Sequence, residues 1–361
     1  MKTPKNILFI IHSLHGGGAE RVVCSMANYW AKKGEGATIL TLAGPDVPVS
    51  YPLSSQVKKR SLNASGKNKN ALLDNVERIK KLSHAIKEEQ PDVILSFMEA
   101  TNILSILAAR GLKIPVIVSD RIDPKLYSYG YIWRFLRNIT YPFASSFVVQ
   151  TKTVLGRYPS FLARKATVIP NFVDVKSDDS EKGTKKNIIC AMGRLNKQKG
   201  FDILLHSFAK VADQFPEWSL VIWGEGEERK NLEKLRDDLV LSQRISFPGF
   251  SEKANAEIKN AGLFVLSSRY EGFPNALMEA MACGLPVIAT RCLCGPEELI
   301  KDDQNGLLIP TEDVDALATA MISLLEDKAT RERLGLEAQK VQDEYNSDHI
   351  IKMWEDLICA A

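Results

Sequence analysis

Short apolar runs alternate with longer amphipathic stretches along nearly the whole chain, a pattern that predicts strands followed by helices. Residues 7–11, 38–42, 91–96, 115–119, 147–150 and 167–171 are runs of this kind. Between the first two, residues 19–33 place Val22, Val23, Met26, Ala27 and Trp30 at helical spacing. The runs are near-continuous rather than alternating, as expected for parallel strands covered on both faces. A polar, glycine-containing segment, KSDDSEKGTKK at 176–186, reads as a linker. Beyond it the alternation resumes with strands at 187–192, 220–223, 245–247 and 263–266, and two helices finish the chain, the last over about 343–359. The expectation is an α/β protein of two doubly wound, Rossmann-like domains. They span 1–175 and 187–340, with a C-terminal helix in 341–361.

Length and composition agree. A chain of 361 residues with 45% apolar residues favours two domains over one. The net charge of +3 implies no nucleic-acid partner. Its distribution is uneven: residues 1–170 hold 24 Lys+Arg and 11 Asp+Glu, a net of +13, and the remainder holds 23 and 33, a net of −10. A basic half beside an acidic half points to an anionic surface or ligand on one side only. Two segments of the basic half suit a membrane surface. Residues 58–87 combine Lys58, Lys59, Arg60, Lys67, Lys69, Arg78, Lys80, Lys81 and Lys87 with apolar residues at helical spacing and read as a basic amphipathic helix, suited to anionic lipid or equally to a solvated surface. Residues 127–143, YSYGYIWRFLRNITYPF, combine aromatics with Arg134 and Arg137, which suits either a lipid interface or packing between helix and sheet. No apolar run approaches the roughly 18–20 residues of a membrane span, and the run at 7–11 is too short for a secretion signal. Six scattered cysteines form no disulfide framework and favour a reducing cytoplasm; Cys292-x-Cys294 is too sparse for zinc.

Candidate chemistry lies in loops that follow strands. After the run at 263–266 comes RYEGFPNALMEAMACG. Pro274 suits the first position of a helix rich in Ala, Leu and Met, which places Glu271 on the loop and Glu279 in the second helical turn. Two carboxylates with the amides of Gly272 and Phe273 can grip a polyhydroxylated ligand, because a carboxylate accepts from vicinal hydroxyls while amides donate to others. The loop HSLHGGG carries Gly17 and Gly18 before a helix, where glycine lets a phosphate approach. Arg21 stands where a dinucleotide fingerprint needs its last glycine, so an NAD site is disfavoured. GRLNKQKG at 193–200 offers Arg194 and Lys199 to a diphosphate.

Together these strings resemble the retaining GT4-type glycosyltransferase family, whose fold is GT-B. EGFPNALMEAMACGLPVIAT resembles its E-x7-E signature, GGGAER its GG-x-E-R loop, GRLNKQKG its GRL-x3-KG loop, and IPNFVD its IPNGVD hinge string, with Phe172 replacing glycine. The resemblance implies two Rossmann-like domains facing across a cleft. It also implies transfer of a hexose or N-acetylhexosamine, with retention, from a nucleotide sugar, UDP-linked, to a lipid-linked or glycan acceptor in cell-surface polysaccharide or glycoconjugate synthesis. On that basis Glu271 and the Gly272 and Phe273 amides, beside Pro274, hold the donor sugar; Glu279 holds the ribose; Arg194 and Lys199 stabilise the departing diphosphate. Gly17 and Gly18 lie near diphosphate and acceptor, the loop ending at Phe250 faces the nucleobase, and Asn171 sits in the hinge string. Arg121 stands where many members place a histidine, and the polar stretch at 97–102, read as a loop, is a candidate acceptor contact. No D-x-D string ends a strand, so no metal and no other cofactor is expected. The enzyme is expected to be cytoplasmic, peripheral on the membrane through its basic first domain. A non-transferring UDP-sugar epimerase would leave that basic domain unexplained, and a periplasmic-type binding protein would need an export signal.

Overall fold

A computed structural model describes residues 5–64, 71–124, 130–173, 186–250 and 254–361. The chain divides into two compact units, Met1–Asn171 with Asp348–Ala361, and Phe172–Ser347. Most of the expected linker, Lys67 and Lys69 of the basic segment, and residues 127–129 of the aromatic segment lie outside the described residues.

In the first unit the strands are β1 (Asn6–Ile11), β2 (Gly36–Thr41), β3 (Lys58–Ser61), β4 (Val93–Phe97), β5 (Val116–Ser119), β6 (Ser146–Val149) and β7 (Ala166–Val168). The helices are α1 (Gly18–Lys32), α2 (Ala71–Glu89), α3 (Glu99–Ala109), α4 (Tyr131–Thr140), α5 (Lys152–Leu155) and α6 (Ser160–Ala163). The sheet is parallel, in the order β3-β2-β1-β4-β5-β6-β7. Its central strands β1 and β4 are buried almost throughout because helices cover both faces. Phe9 meets Trp30 of α1 at 5.9 Å between ring centroids.

The second unit holds β8 (Ile188–Met192), β9 (Ser219–Trp223), β10 (Ile245–Gly249), β11 (Leu263–Leu266), β12 (Val287–Thr290) and β13 (Leu307–Ile309). Its helices are α7 (Phe201–Ala209), α8 (Arg229–Asp238), α9 (Ala254–Lys259), α10 (Asn275–Ala282), α11 (Pro296–Leu299), α12 (Val314–Glu326), α13 (Lys328–Gln339) and α14 (Val341–Glu344). This sheet is also parallel, in the order β10-β9-β8-β11-β12-β13. Alternate residues sort cleanly onto its two faces. Ile189, Ala191, Leu263 and Val265 pack with Leu204, Phe208 and Met321. Cys190, Phe264 and Leu266 pack with Leu277, Met278 and Met281 of α10. The chain then returns to the first unit as α15 (Ser347–Ala360).

Three local expectations are corrected. Residues 58–60 belong to edge strand β3, not to the basic helix, which starts at Ala71. The register Thr38↔Lys58 draws them into the sheet, and Glu88 and Glu89 at the end of α2 neutralise them: Lys58 Nζ lies 2.8 Å from Glu89 and Arg60 Nη2 lies 2.6 Å from Glu88. The stretch 97–102 is not a loop. Phe97 ends β4 and α3 begins at Glu99, so the turn is Met98 alone, held at φ 78. The last helix begins at Ser347 rather than near 343, and α14 ends before it. Among the described residues no helix is long and apolar enough to cross a membrane.

Candidate functional site

Strand order reverses beside β8 in the second sheet, where β9 lies on one side and β11 on the other. The loops after β8 and β11 therefore leave the sheet in opposite senses and open a crevice at their carboxyl ends, the usual ligand site of such sheets. Here the two loops are laced together. Ser267 Oγ donates to the Lys199 carbonyl (2.9 Å), Arg269 N to the Gln198 carbonyl (2.8 Å), and Gln198 Nε2 to the Tyr270 carbonyl (2.9 Å). Gly200, at φ +60, lets them approach: a Cβ there would lie 2.2 Å from the Ser267 carbonyl oxygen.

This lacing brings Lys199 to Glu271. Lys199 Nζ lies 2.6 Å from Glu271 Oε1, and Ser268 Oγ donates to the same oxygen at 2.6 Å. Glu271 is buried, with 5% of its surface exposed. Among the described residues nothing donates a hydrogen bond to Oε2, and the amides of Gly272 and Phe273 meet no acceptor. The ring of Phe273 is not part of this opening. It is buried against Tyr345, 6.1 Å between centroids, so Phe273 offers only its backbone. Pro274 caps α10, and Glu279 is buried on the helix one turn further on.

The loop after β9 completes the arrangement. Gly193 N donates to the Trp223 carbonyl (3.0 Å) and Leu195 N to the Glu225 carbonyl (2.9 Å). Gly224, at φ +140, is required, since a Cβ would meet the Gly193 carbonyl oxygen at 1.9 Å. Arg194 is exposed on this braced loop. Arg229 Nη2 donates to the Phe247 carbonyl (2.7 Å) and ties α8 to β10, after which Phe250 is exposed. The motifs contain Arg194, Gln198, Lys199, Glu271, Phe273 and Glu279, whereas Ser267, Ser268, Arg229 and Tyr345 lie outside them, and the only sign of Ser268 is its place three residues before Glu271.

The first unit gathers its candidates at the corresponding sheet edge. Gly17 and Gly18 open α1, where the Glu20 carboxylate folds back over Gly17, its Oε2 2.2 Å from where a Cβ would stand. Arg121 and Asn171 are brought together: Arg121 Nη1 donates to Asn171 Oδ1 at 2.6 Å. The guanidinium is buried between the rings of Phe97 and Trp354, at 4.9 and 5.8 Å from their centroids. Its Nε and Nη2 have no partner among the described residues, and burial pulls its pKa down to about 9. The guanidinium is thus a desolvated cation held by π faces rather than by a carboxylate.

Beside it lies a network that sequence reading missed. Asp120 accepts from Asn102 (2.9 Å), Tyr141 (2.7 Å) and Tyr158 (2.6 Å), and burial still raises its pKa. Arg137 of α4 reaches Glu99 at 3.3 Å. Glu99 is raised to about 7, by burial first and by the Asp120 charge second, against the opposing pull of Arg137. A carboxyl with a raised folded-state pKa stabilises the fold below its unfolded value, near 4.5, and loses that contribution as pH rises towards 7. Thermal melts between pH 5 and 8 should therefore show Tm falling with pH, and falling less in Glu99→Gln. Equal slopes would show that Glu99 is ionised throughout.

Comparison with known proteins places the whole chain. Residues 16–177 match the family described as Glycosyltransferase Family 4, and residues 173–341 match Glycosyl transferases group 1. The chain is 32% identical over 358 residues, 98% of each protein, to the "GalNAc-alpha-(1->4)-GalNAc-alpha-(1->3)-diNAcBac-PP-undecaprenol alpha-1,4-N-acetyl-D-galactosaminyltransferase" of Campylobacter jejuni. Sucrose-phosphate synthase from Thermosynechococcus elongatus shares the fold at TM-score 0.83 and 20% identity, covering 99% of this chain and 100% of that one. Anabaena HepE, solved with UDP-glucose, does so at TM-score 0.80 and 20% identity with the same coverage. The two parallel-sheet units, the loop motifs at their sheet edges and the full-length relative agree: this chain is a glycosyltransferase of the GT4-type family, with the GT-B fold.

Proposed function

We propose that the enzyme moves a hexose or N-acetylhexosamine from a UDP-sugar to a hydroxyl of a lipid-linked glycan, with retention at the anomeric carbon, in cell-surface glycan synthesis. The observation that carries this reading is the Lys199–Glu271 pair at 2.6 Å, set beside the uncommitted amides of Gly272 and Phe273 at the reversal point of the second sheet. A glycosyl transfer must hold a sugar by its hydroxyls and neutralise a departing diphosphate. Glu271 Oε2 and the two amides serve the first task, and Lys199 with Arg194 the second. Because charge on the diphosphate grows as the glycosidic bond breaks, these cations stabilise the transition state more than the bound donor. Glu279 takes the ribose hydroxyls, and the loop ending at Phe250 borders the base.

The UDP donor is supported by HepE, which was solved with UDP-glucose in the same fold. The lipid-linked acceptor is supported by the Campylobacter relative, whose name specifies a diphospho-undecaprenol glycan. All six cysteines are free thiols, in keeping with a reducing compartment and work at the cytoplasmic face. The reaction is proposed to need no metal, the two cations taking that role.

Isothermal titration against UDP, GDP and ADP, with and without EDTA, tests the reading. UDP alone should bind, equally well in EDTA, and Arg194→Ala should weaken it by roughly tenfold or more, as expected for a lost charge-assisted contact. Binding of none of the three would remove the transferase reading of this site, and binding that disappears in EDTA would remove its metal independence.

A further inference from the structure

Helix α4 is inside out. A surface helix normally turns its apolar stripe inward and its polar face to water. In α4 the residues turned inward include Arg137 and Thr140, 3% and 4% exposed, whereas Tyr131, Ile132, Phe135 and Ile139 are 82%, 74%, 63% and 46% exposed. At about 100° per residue these four fall within one sector of roughly 100°. Phe143, in the turn that follows, extends the apolar face and is 67% exposed. The inward arginine is accounted for by Glu99, and nothing among the described residues covers the outward face.

The rim of this face is cationic. The Arg134 guanidinium lies 4.8 Å from the Tyr131 ring, Arg110 lies 5.2 Å from the Phe143 ring, and Lys165 Nζ donates to the Pro142 carbonyl at 2.7 Å. Residues 124–173 contain seven Lys or Arg and not one Asp or Glu. A protein partner would be expected to meet both signs of charge here. An apolar, aromatic face with these cations at its rim fits a sheet of lipid tails capped by anionic headgroups. The other basic segment does not fit: Lys58 and Arg60 are paired with Glu88 and Glu89, and Lys81 with Glu77.

We infer that α4 and the Phe143 turn dock the protein on an anionic lipid bilayer, the helix lying in the plane of the interface with Tyr131, Phe135 and Ile139 among the acyl chains. Arg134 and Arg110 then face headgroup phosphates. The docking surface belongs to the first unit and is independent of donor binding in the second, so either can fail without the other.

Flotation of the purified full chain with phosphatidylglycerol-containing vesicles, and with pure phosphatidylcholine vesicles, tests this. The wild type should float with the anionic vesicles and weakly or not at all with the neutral ones. Phe135→Ser with Ile139→Ser should lower vesicle affinity by about tenfold or more, as expected for removing two apolar groups buried among acyl chains. Arg134→Glu should lower it by about tenfold. Lys80→Glu with Lys87→Glu on α2 should change it less than either. All altered side chains are exposed, so melting temperatures should hold, and sedimentation should show the same oligomeric state in each. Failure of the wild type to float, wild-type flotation by both α4 variants, or a dimer that the double serine variant dissociates with no change in flotation would each overturn the inference.

Discussion

Lys199→Ala is expected to lower kcat for sugar transfer by about 10²–10³-fold, the usual consequence of losing one preorganised group that faces charge developing in the transition state. The ammonium is held in place before any donor arrives, 2.6 Å from Glu271 and with its own carbonyl bound by Ser267 Oγ. Little reorganisation is then needed at the moment of bond breaking, which is why its removal should act on kcat more than on donor affinity. The substitution also leaves a buried carboxylate supported by Ser268 alone, which should cost about 1–3 kcal/mol of stability. Activity and stability can be separated. Lys199→Met combined with Glu271→Gln removes both charges, so the melting temperature should recover towards wild type while transfer stays lost. Recovery of transfer in the double variant would show that the pair is structural and that neither charge meets the substrate. Steady-state kinetics and thermal melts on the three proteins give the answer.

Gly200→Ala should also damage transfer, though less than Lys199→Ala, while touching no ligand. Its φ of +60 is a left-handed conformation that costs an alanine roughly 1–2 kcal/mol, and the new Cβ would stand 2.2 Å from the Ser267 carbonyl oxygen. That oxygen is backbone in the neighbouring loop and cannot swing aside as a flexible side chain would. The loops after β8 and β11 must part, which withdraws Lys199 from Glu271. We expect a loss of about 2–4 kcal/mol in unfolding free energy, by the strain and overpacking together, and a fall in kcat of at least about tenfold in the protein that remains folded. Urea denaturation monitored by tryptophan fluorescence measures the first and initial rates the second. An alanine variant with wild-type stability would show that these loops do not approach as closely as Gly200 implies.

Much of this protein was legible in its residues. Near-continuous apolar runs identified parallel strands, because burial on both faces leaves no polar alternation, and all but the edge strand β3 and the short β12 and β13 were marked as strands in this way. Pro274 marked the start of α10, because its missing amide hydrogen is harmless there, and the loop motifs named Arg194, Lys199, Glu271 and Glu279. These are local signals, each contained in about ten neighbouring residues.

What remained hidden depends on contacts between distant segments. Lys199 and Glu271 are separated by 72 positions and meet only because β8 and β11 are adjacent in the sheet, an order that periodicity does not encode. Ser268 has no motif and gains its role from the same adjacency. Lys58 and Arg60 looked like part of a basic helix until β3 joined the sheet edge and Glu88 and Glu89 came over them. The aromatic segment could equally have been core, since a run such as YIWRFLRNIT shows an apolar face without saying which way it turns. Its direction was decided by Glu99, which draws Arg137 inward and so leaves Tyr131, Phe135 and Ile139 in the open. The amino-acid sequence by itself determined the elements and the chemistry each loop offers. Only the tertiary structure decided which loops meet and which faces stay uncovered, because both depend on strand order and on charge pairs between segments far apart in the chain.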